Sequence, residues 1–476
     1  MKIITSSDDH TTATMERQAK IQATLKRKVP PLSSFVVSYL KVYDYVDKSI
    51  LLASLMAHAE TYLFIPSMRR CGKSFTLKLL QAMAEGKRDA LSGLRICTVP
   101  NSADWQLPTE GNEYRVIKLD FSFVHPYYDI KDGMARYLRQ AASVAIPESL
   151  QSTSEILKHW IETVAAGQEE KVVVLVDEYD APLTPFLGDP EKLQSITAEL
   201  KMIFMTLKGL DGALFKAIVT GGLKAGMSGL FSGANNFYRL LDEEPAFSGL
   251  FGFTADEIRG TYGGHIQEIF QPTSLDESMK TMAEYYNGYR FHPKDEETYF
   301  NPWSTISYLR AARLDRYWAY TCASSVLDKI ILHHGPDALA GCRLHWKGLQ
   351  QPLTMEDYTD NWISLFFQSG YLSIFGWDND NEADGVVLLS PPNHEVREYL
   401  ESQIPRLLRI EAEQRGHWPS MLQYSSSMST FQFDEAAEIL TKVLNDLRYD
   451  LLNENEFGGW ALHSLRLMKG FLIHSY

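Results

Sequence analysis

The stretch FIPSMRRCGKSFTLKLLQAM, residues 64–83, decides the fold. An apolar, strand-like start runs into a turn, Gly72-Lys73-Ser74 follows, and a helical pattern begins at once. Glycine lets the backbone approach a phosphate closely, and the amide groups of such a turn and helix N-terminus point at the anion. The lysine can reach β- and γ-phosphates, and the serine hydroxyl can bind Mg²⁺. The stretch therefore predicts a phosphate-binding loop between a strand and a helix.

This loop matches the full phosphate-loop pattern incompletely. The pattern has a glycine five residues before Gly72, where this chain has Ser67. Gly-Lys-Ser alone occurs by chance in many chains, so a helix start without a ligand is the alternative. Arg69 and Arg70 either stabilise phosphate charge or only shape the loop, and the sequence leaves both interpretations open.

A second stretch, KVVVLVDEYD at residues 171–180, strengthens the phosphate interpretation. Five of the six residues before Asp177 are apolar, which predicts a buried central strand of a parallel sheet. Two carboxylates at the end of such a strand are costly without a role. We expect Asp177 to bind Mg²⁺ through water or to fix Ser74, and Glu178 to polarise an attacking water as general base. An exposed strand end is the alternative.

Four β-rich runs lie far apart along the chain, with helical patterns between them, at residues 61–67, 113–123, 171–180 and 214–222. This alternation predicts an α/β fold, with helices on both faces of a parallel sheet and ligands beyond the carboxyl ends of the strands. The second run is interposed along the chain between the Lys73 loop and the Asp177 strand. An interposed strand, with Glu beside the magnesium Asp, is typical of the additional-strand, catalytic-Glu type of P-loop NTPase.

Polar residues end two further runs. Asp120 ends the second run, and Thr220 ends the fourth, where this type of NTPase has a sensor that touches the γ-phosphate or the attacking water. We therefore expect Lys73, Asp120, Asp177 and Thr220 to lie on one edge of the sheet. An ordinary strand-end cap is the alternative for Asp120 and Thr220.

The composition is that of a globular protein, with 45% hydrophobic and 22% charged residues. The net charge of −14 disfavours non-specific nucleic-acid binding, which depends on Lys and Arg, although it leaves room for a local basic patch. The four cysteines form no CxxC pair, no apolar run approaches a membrane span of ~18 residues, and the N-terminus is not a secretory signal. We expect a reduced, cytoplasmic protein that does not bind membranes.

These residues resemble the AAA-ATPase-like family, which is found next to PD-(D/E)XK nuclease-like domains. The resemblance covers residues 35 to about 410 in order. It is carried by the segments YVDKSILL (45–52), RRCGKS (69–74), VIKLDFS (116–122), VVLVDEYDAPL (173–183), IVTGGLKAGMSGLFSGANNF (218–237), FSGLFGFTADEI (247–258), YYNGYRF (285–291), YFNPWS (299–304), FQSGYLSI (367–374) and PPNHEVREYL (391–400).

The resemblance implies a site for ATP and Mg²⁺. The expected nucleotide-binding residues are Arg69, Arg70, Cys71, Gly72, Lys73, Ser74, Phe75 and Asp120; the expected magnesium ligands are Ser74 and Asp177; and the expected catalytic residues are Glu178, Lys73 and Thr220. The family's strand-end Thr-Gly falls on Thr220 and Gly221. This chain departs from the family where Met68 replaces a usual proline, Cys71 a usual aromatic residue and Leu223 a common serine.

The predicted organisation has four parts. They are a polar arm at residues 1–33, a P-loop ATPase domain at 34–240, a mainly helical, winged-helix-like domain at 241–425 and a helical tail at 426–476. The winged-helix interpretation follows from the order helix, strand, polar turn, strand, helix in residues 361–410. A nuclease-like domain needs an Asp strand and a Glu-x-Lys strand. Residues 430–476 contain neither, so we expect that domain to be missing or truncated.

The expected function is ATP binding and Mg²⁺-dependent hydrolysis, linked to a nuclease-type, defence or mobile-element system. The alternative is a non-hydrolysing, nucleotide-gated module that binds a partner protein or DNA. A partner protein or a second copy of the chain is expected beside the nucleotide, and DNA binding is expected to be weak because the chain is acidic.

Overall fold

The computed structural model describes residues 29–31, 40–98, 104–124, 129–166, 171–186, 189–224, 236–319, 342–350, 361–378 and 385–402. The chain divides into two compact units, residues 1–323 with 340–397, and residues 324–339 with 398–476. The fold below is that of the first unit, because almost all of the second lies outside the described residues. The predicted tail and most of the predicted arm lie outside them too, and the domain boundaries stay predictions.

A five-stranded sheet forms the centre of this unit. Its strands are β1 Tyr62–Phe64, β2 Arg115–Asp120, β3 Val172–Asp177, β4 Leu214–Val219 and β5 Tyr238–Arg239. They lie in the order β2-β3-β4-β1-β5, and all neighbours pair in parallel. The predicted parallel sheet is confirmed. In the sheet, β4 lies between β1 and β3. The strand that lies between them along the chain, β2, instead forms one outer strand of the sheet.

Burial of β3 on both faces explains its unbroken apolar sequence. Val172, Val174 and Val176 pack into a core with the helices between the strands, and Val173 and Leu175 point to the opposite face. All five side chains are fully buried. A central parallel strand needs apolar residues at every position, and this strand has them up to its acidic end.

Helices connect these strands, and some of them begin at a side-chain cap. They are α1 Ser49–Ala57, α2 Lys73–Ala84, α3 Arg88–Leu91, α4 Arg95–Thr98, α5 Ile130–Ala141, α6 Thr153–Ala165 and α7 Pro190–Lys208, with 3₁₀ turns at Phe121–Phe123, Thr184–Phe186 and Asp211–Ala213. Ser152 and Glu155 form a capping box before α6, and the Asp189 side chain caps α7. Within the described residues, no helix is long and apolar enough to cross a membrane.

Beyond β5 the described chain is mainly helical up to residue 311. The elements are α8 Leu240–Glu243, a 3₁₀ turn Pro245–Leu250, α9 Ala255–Ile269, α10 Leu275–Tyr286 and α11 Pro302–Ala311. Tyr262, Met282, Tyr286 and Phe300 lie in a second core that these helices enclose. Each aromatic ring buries a large apolar area, so this core contributes to the stability of the helical part.

A small antiparallel sheet follows. Its elements are β6 Cys342–His345, α12 Trp346–Leu349, α13 Trp362–Ser369, β7 Ser373–Asp378 and β8 Val386–Ser390, and a helix begins at residue 394. The strands lie in the order β6-β8-β7. The predicted order of helix, strand, strand and helix is present, whereas β6 was not predicted. The winged-helix interpretation stays a prediction.

Glu395 is a buried carboxyl group that joins three segments. It is fully buried, and its carboxylate oxygens accept hydrogen bonds from Ser304 Oγ at 2.7 Å and from the Trp318 backbone N–H at 2.6 Å. Burial raises the pKa of Glu395 to about 7, although these hydrogen bonds oppose the shift. The group therefore holds its proton more tightly in the folded protein than in the unfolded chain.

The raised pKa of Glu395 predicts a specific pH dependence of stability. The folded pKa lies above the ordinary 4.5, so the stabilisation is complete below pH 4.5 and is lost as the pH rises through 7. Glu395→Gln, which cannot ionise, should gain up to about 3 kcal/mol of unfolding free energy relative to the wild type between pH 5 and pH 8. Urea denaturation across this range measures the difference. The exposed Glu284→Gln serves as control, and equal curves for all three proteins would contradict the assignment.

Candidate functional site

The loop after β1 turns over the carboxyl edge of the sheet. The Ile65 N–H donates to the Val219 carbonyl at 2.8 Å and the Ser67 N–H to the Gly221 carbonyl at 2.9 Å, so the loop begins tied to β4. It ends at Gly72, whose φ of 104° is a conformation that side chains other than glycine rarely adopt. Because α2 begins immediately afterwards, its first N–H groups have no partner within the helix and are available to an anion.

Lys73 is the cation of the site. It is only 3% exposed, and its Nζ donates to the carbonyl oxygens of Ser67 and Met68, each at 2.9 Å. Burial by itself lowers the pKa of Lys73, but nearby acidic groups, Glu178 and Asp177 among them, outweigh it and the net pKa is raised. The ammonium group therefore stays charged at neutral pH, inside the loop.

Asp177 and Thr220 meet at the ends of adjacent strands. Asp177 is 1% exposed, and its Oδ1 lies 3.1 Å from Thr220 Oγ1, which donates to it. Asp120 stands opposite Asp177 in the register of β2 and β3. The predicted residues Lys73, Asp120, Asp177 and Thr220 thus all lie at the carboxyl ends of the parallel strands. Asp120 belongs to β2, which is the strand furthest from the loop in the sheet order. Their chemical roles stay predictions.

Glu178 is held in an unusual conformation. Its φ is 50°, in the left-handed region that costs a branched or long side chain free energy. The pKa of the half-buried Glu178 carboxyl is raised by burial and by Asp180 and Asp177, while Lys73 opposes this. A strained residue with a perturbed pKa beside a buried lysine is the kind of group that acts in proton transfer.

Two neighbours of these carboxylates were missed in the sequence. Asp180 is buried and accepts hydrogen bonds from the N–H groups of Gly222 at 2.8 Å and Leu223 at 3.0 Å. The Tyr179 hydroxyl donates to the Leu223 carbonyl at 2.5 Å. Together they fasten the segment after β4 to the end of β3. The signal was the third acid of the DEYD stretch, to which no role was assigned.

The phosphate loop is also held from the helical part. Trp318 Nε1 donates to the Arg69 carbonyl at 3.1 Å, and the Gly252 N–H donates to the Cys71 carbonyl at 3.3 Å. The side chains of Arg69 and Arg70 are exposed, and the Arg70 guanidinium stacks on the Trp303 ring at 3.9 Å. This contact fits the interpretation that Arg70 shapes the loop, rather than the alternative that it stabilises phosphate charge.

The remaining predicted residues differ in their surroundings. Ser74 is exposed in the first turn of α2, Cys71 is buried, and the Phe75 ring lies 6.0 Å from the ring of Tyr45. The Asp120 carboxylate accepts hydrogen bonds from the N–H and the hydroxyl of Ser122, which is the arrangement of a strand-end cap. Contact of these residues with a nucleotide stays a prediction.

The strand order, with β4 between β1 and β3, and the loop that leads into α2 are those of a P-loop NTPase fold of the additional-strand type. Residues 32–231 match the model of the AAA-ATPase-like family, described as a predicted AAA-ATPase. This match supports a P-loop ATPase, a class of protein that binds a nucleotide.

Comparison with individual proteins gives distant relatives. An uncharacterised protein in the vnfD 5′ region of Azotobacter chroococcum mcd 1 is 27% identical over 392 residues, which are 78% of this chain and 68% of the relative. The Walker-type ATPase paby2304 of Pyrococcus abyssi has a TM-score of 0.39 at 12% identity, over 75% of this chain and 96% of its own. Cdc6p from Pyrobaculum aerophilum has a TM-score of 0.22 at 14% identity, over 77% and 96%. These low scores add nothing to the fold seen in the sheet.

Gly221 provides a test of how the site is packed. A Cβ at this position would lie 2.4 Å from Asp180 Oδ1 and from the Tyr179 ring, so both groups would have to move. Gly221→Ala should lower the unfolding free energy by about 1–3 kcal/mol. Gly260→Ala in α9, where nothing lies within 4 Å, should instead stabilise by up to about 1 kcal/mol. Urea denaturation compares the two, and a neutral Gly221→Ala would show that the packing is wrong.

Proposed function

We propose that the protein binds ATP and hydrolyses it with Mg²⁺. The carrying observation is the buried, charged Lys73 at the N-terminus of α2, next to the carboxylates at the end of β3. A fixed positive charge, a helix N-terminus and a set of acids at one sheet edge are what phosphoryl transfer requires, because its catalysis is mainly positioning and charge stabilisation. ATP rather than another nucleotide is the expectation from the family.

The loop fits the phosphates. The space beside Gly72 is open, since a Cβ there would meet nothing within 4 Å, and the α2 N-terminus faces it. Lys73 would neutralise the β- and γ-phosphates, and its present carbonyl partners would be exchanged for phosphate oxygens. Arg69 is exposed at the same loop and can add positive charge. The remaining loop residues would contribute backbone groups.

The magnesium ligands would be the Ser74 hydroxyl and the Asp177 carboxylate. Hydroxyl and carboxylate oxygens suit Mg²⁺, which usually binds through one or two protein oxygens plus phosphate oxygens and water. The bound ion would neutralise phosphate charge. Thr220, which hydrogen-bonds Asp177, would report on the γ-phosphate at the same edge.

Glu178 would orient and deprotonate the attacking water. Its raised pKa makes its carboxylate a stronger base than an ordinary glutamate, and Lys73 opposes full neutralisation. The strained φ fixes the side chain at the strand end, where the backbone of Tyr179 is bonded to Thr220. These features support a catalytic rather than a purely structural carboxylate.

A non-hydrolysing, nucleotide-gated module is the second candidate. It is favoured by the contacts of Trp318, Gly252 and Trp303 with the phosphate loop, because they would pass a change in the loop to the helical part. We further propose a cytoplasmic protein that works with a partner protein or a second copy of itself, in a nuclease-type or defence system. Its DNA binding would be weak, as the net charge of −14 indicates.

Glu178→Gln separates the two candidates. If Glu178 is the base, the variant should bind ATP as the wild type does, while phosphate release falls about 10²–10⁴-fold. Phosphate release and ATP-induced thermal shift measure the two properties, with the exposed Glu110→Gln as control. Release at the wild-type rate would exclude Glu178 as base. A wild-type protein that shows the thermal shift but no release would support the gated module.

Lys73→Ala tests the nucleotide site itself. Loss of a charge-assisted contact to phosphate should weaken ATP binding roughly 10- to 100-fold and abolish hydrolysis, with and without added DNA. Titration of ATP against intrinsic tryptophan fluorescence measures the affinity. Lys280→Ala, on the exposed side of α10, should behave as the wild type. Equal affinity in both variants would place the nucleotide elsewhere.

A further inference from the structure

A cavity of about 580 Å³, including its open mouth, lies beside the phosphate loop. Ser67 and Met68 of that loop form one wall, and Lys224, after β4, is part of another. The other walls come from residues 289–291 and 367–373, which belong to the segments YYNGYRF and FQSGYLSI. The phosphate site makes no use of these two segments.

Gln368 presents an unused hydrogen-bond donor to this cavity. The residue is 7% exposed, and its Oε1 accepts a hydrogen bond from the Lys224 N–H at 2.7 Å. That contact fixes the orientation of the amide. The buried Nε2 has no hydrogen-bond partner among the residues that the structure describes. Buried polar groups are almost always satisfied, so an amide donor left over in a cavity wall indicates a missing acceptor.

Arg290 adds a positive charge to the cavity wall. Its backbone N–H donates to Ser373 Oγ at 2.8 Å, whereas its buried Nε has no hydrogen-bond partner within the described part of the chain. In the same part of the chain, its guanidinium forms no ion pair. Lys224, in contrast, is neutralised by Asp242. Arg290 and Gln368 are thus two donors that line one cavity, and the acid among the described lining residues, Asp242, is paired with Lys224.

We propose that this cavity is a second ligand site, for a small molecule that carries a phosphate or carboxylate group. Arg290 would bind the oxyanion through charge-assisted hydrogen bonds, and the Gln368 Nε2 would donate to it as well. The apolar walls formed by Phe291 and Met68 would bury the rest of the molecule. Phosphate and carboxylate share this chemistry, so the donors alone select the oxyanion class.

The position of the site gives the ligand a regulatory effect, and this part of the inference rests on the proposed function. Ser67 and Met68 line the cavity, and their carbonyl oxygens bind the Lys73 ammonium on the other side of the loop. A ligand that shifts this backbone would change the affinity for ATP. By linkage, ATP would change the affinity for the ligand by the same factor.

The site is tested on the full chain without nucleotide. Inorganic phosphate and acetate are titrated separately, and the melting temperature and the heat of binding are recorded. At least one probe should bind saturably to the wild type. Arg290→Gln should weaken that binding about 10-fold or more, whereas the same substitution at the exposed Arg136 should not change it. The responding probe identifies the oxyanion, and no saturable response to either would overturn the proposal.

Gln368→Glu provides a second variant that should fold. Its carboxylate keeps an acceptor for the Lys224 N–H and supplies an oxyanion to the cavity, so it should raise the melting temperature and abolish binding of the probe. Phosphate can also bind the loop, and a Lys73→Ala background separates the sites. Binding that survives Lys73→Ala but not Arg290→Gln supports the cavity. Binding with the opposite pattern overturns the proposal, whether or not the protein hydrolyses ATP.

Discussion

The buried charge of Lys73 is the constraint on which the rest of the site depends. An ammonium group out of water needs acceptors and opposite charge, and the protein supplies both from elements that are distant in sequence. The loop carbonyl oxygens come from its own turn, and the carboxylates from the end of β3. The carboxylates in turn need Lys73, because Asp177 and Glu178 would otherwise lie close together in a poorly solvated place. The parallel register brings these groups to one edge.

The sequence predicted the sheet and the loop because their signals are local. An unbroken apolar run marks a buried strand, and glycine before Lys73 marks a backbone position that other residues avoid. β5 was missed because two residues carry no periodicity. The sequence could not show which strand lies beside β1 in the sheet, because the spatial order of the strands depends on how the helices cross the sheet. Asp180 was missed because its partners are backbone N–H groups 42 and 43 residues away, which leave no pattern.

Tertiary contacts explain how the loop can carry Met68 and Cys71, where the AAA-ATPase-like pattern has a proline and an aromatic residue. A proline at position 68 would restrict the backbone directly. Met68 is instead buried, and a Cβ on Gly370 would lie 2.8 Å from its sulfur, so the helical part packs tightly against it. The carbonyl of Cys71 is held by the Gly252 N–H. Rigidity that the local sequence does not provide is thus supplied by residues far along the chain.

The same contacts join the nucleotide loop to a proton-binding group. Trp318 donates its indole N–H to the Arg69 carbonyl, and its backbone N–H donates to the buried Glu395. A shift of the Arg69 backbone would therefore act on the buried Trp318 ring. The backbone of the same residue is bonded to Glu395, a carboxyl group with a pKa of about 7. Trp318 thus connects the Arg69 backbone to a buried acid through two hydrogen bonds of one residue.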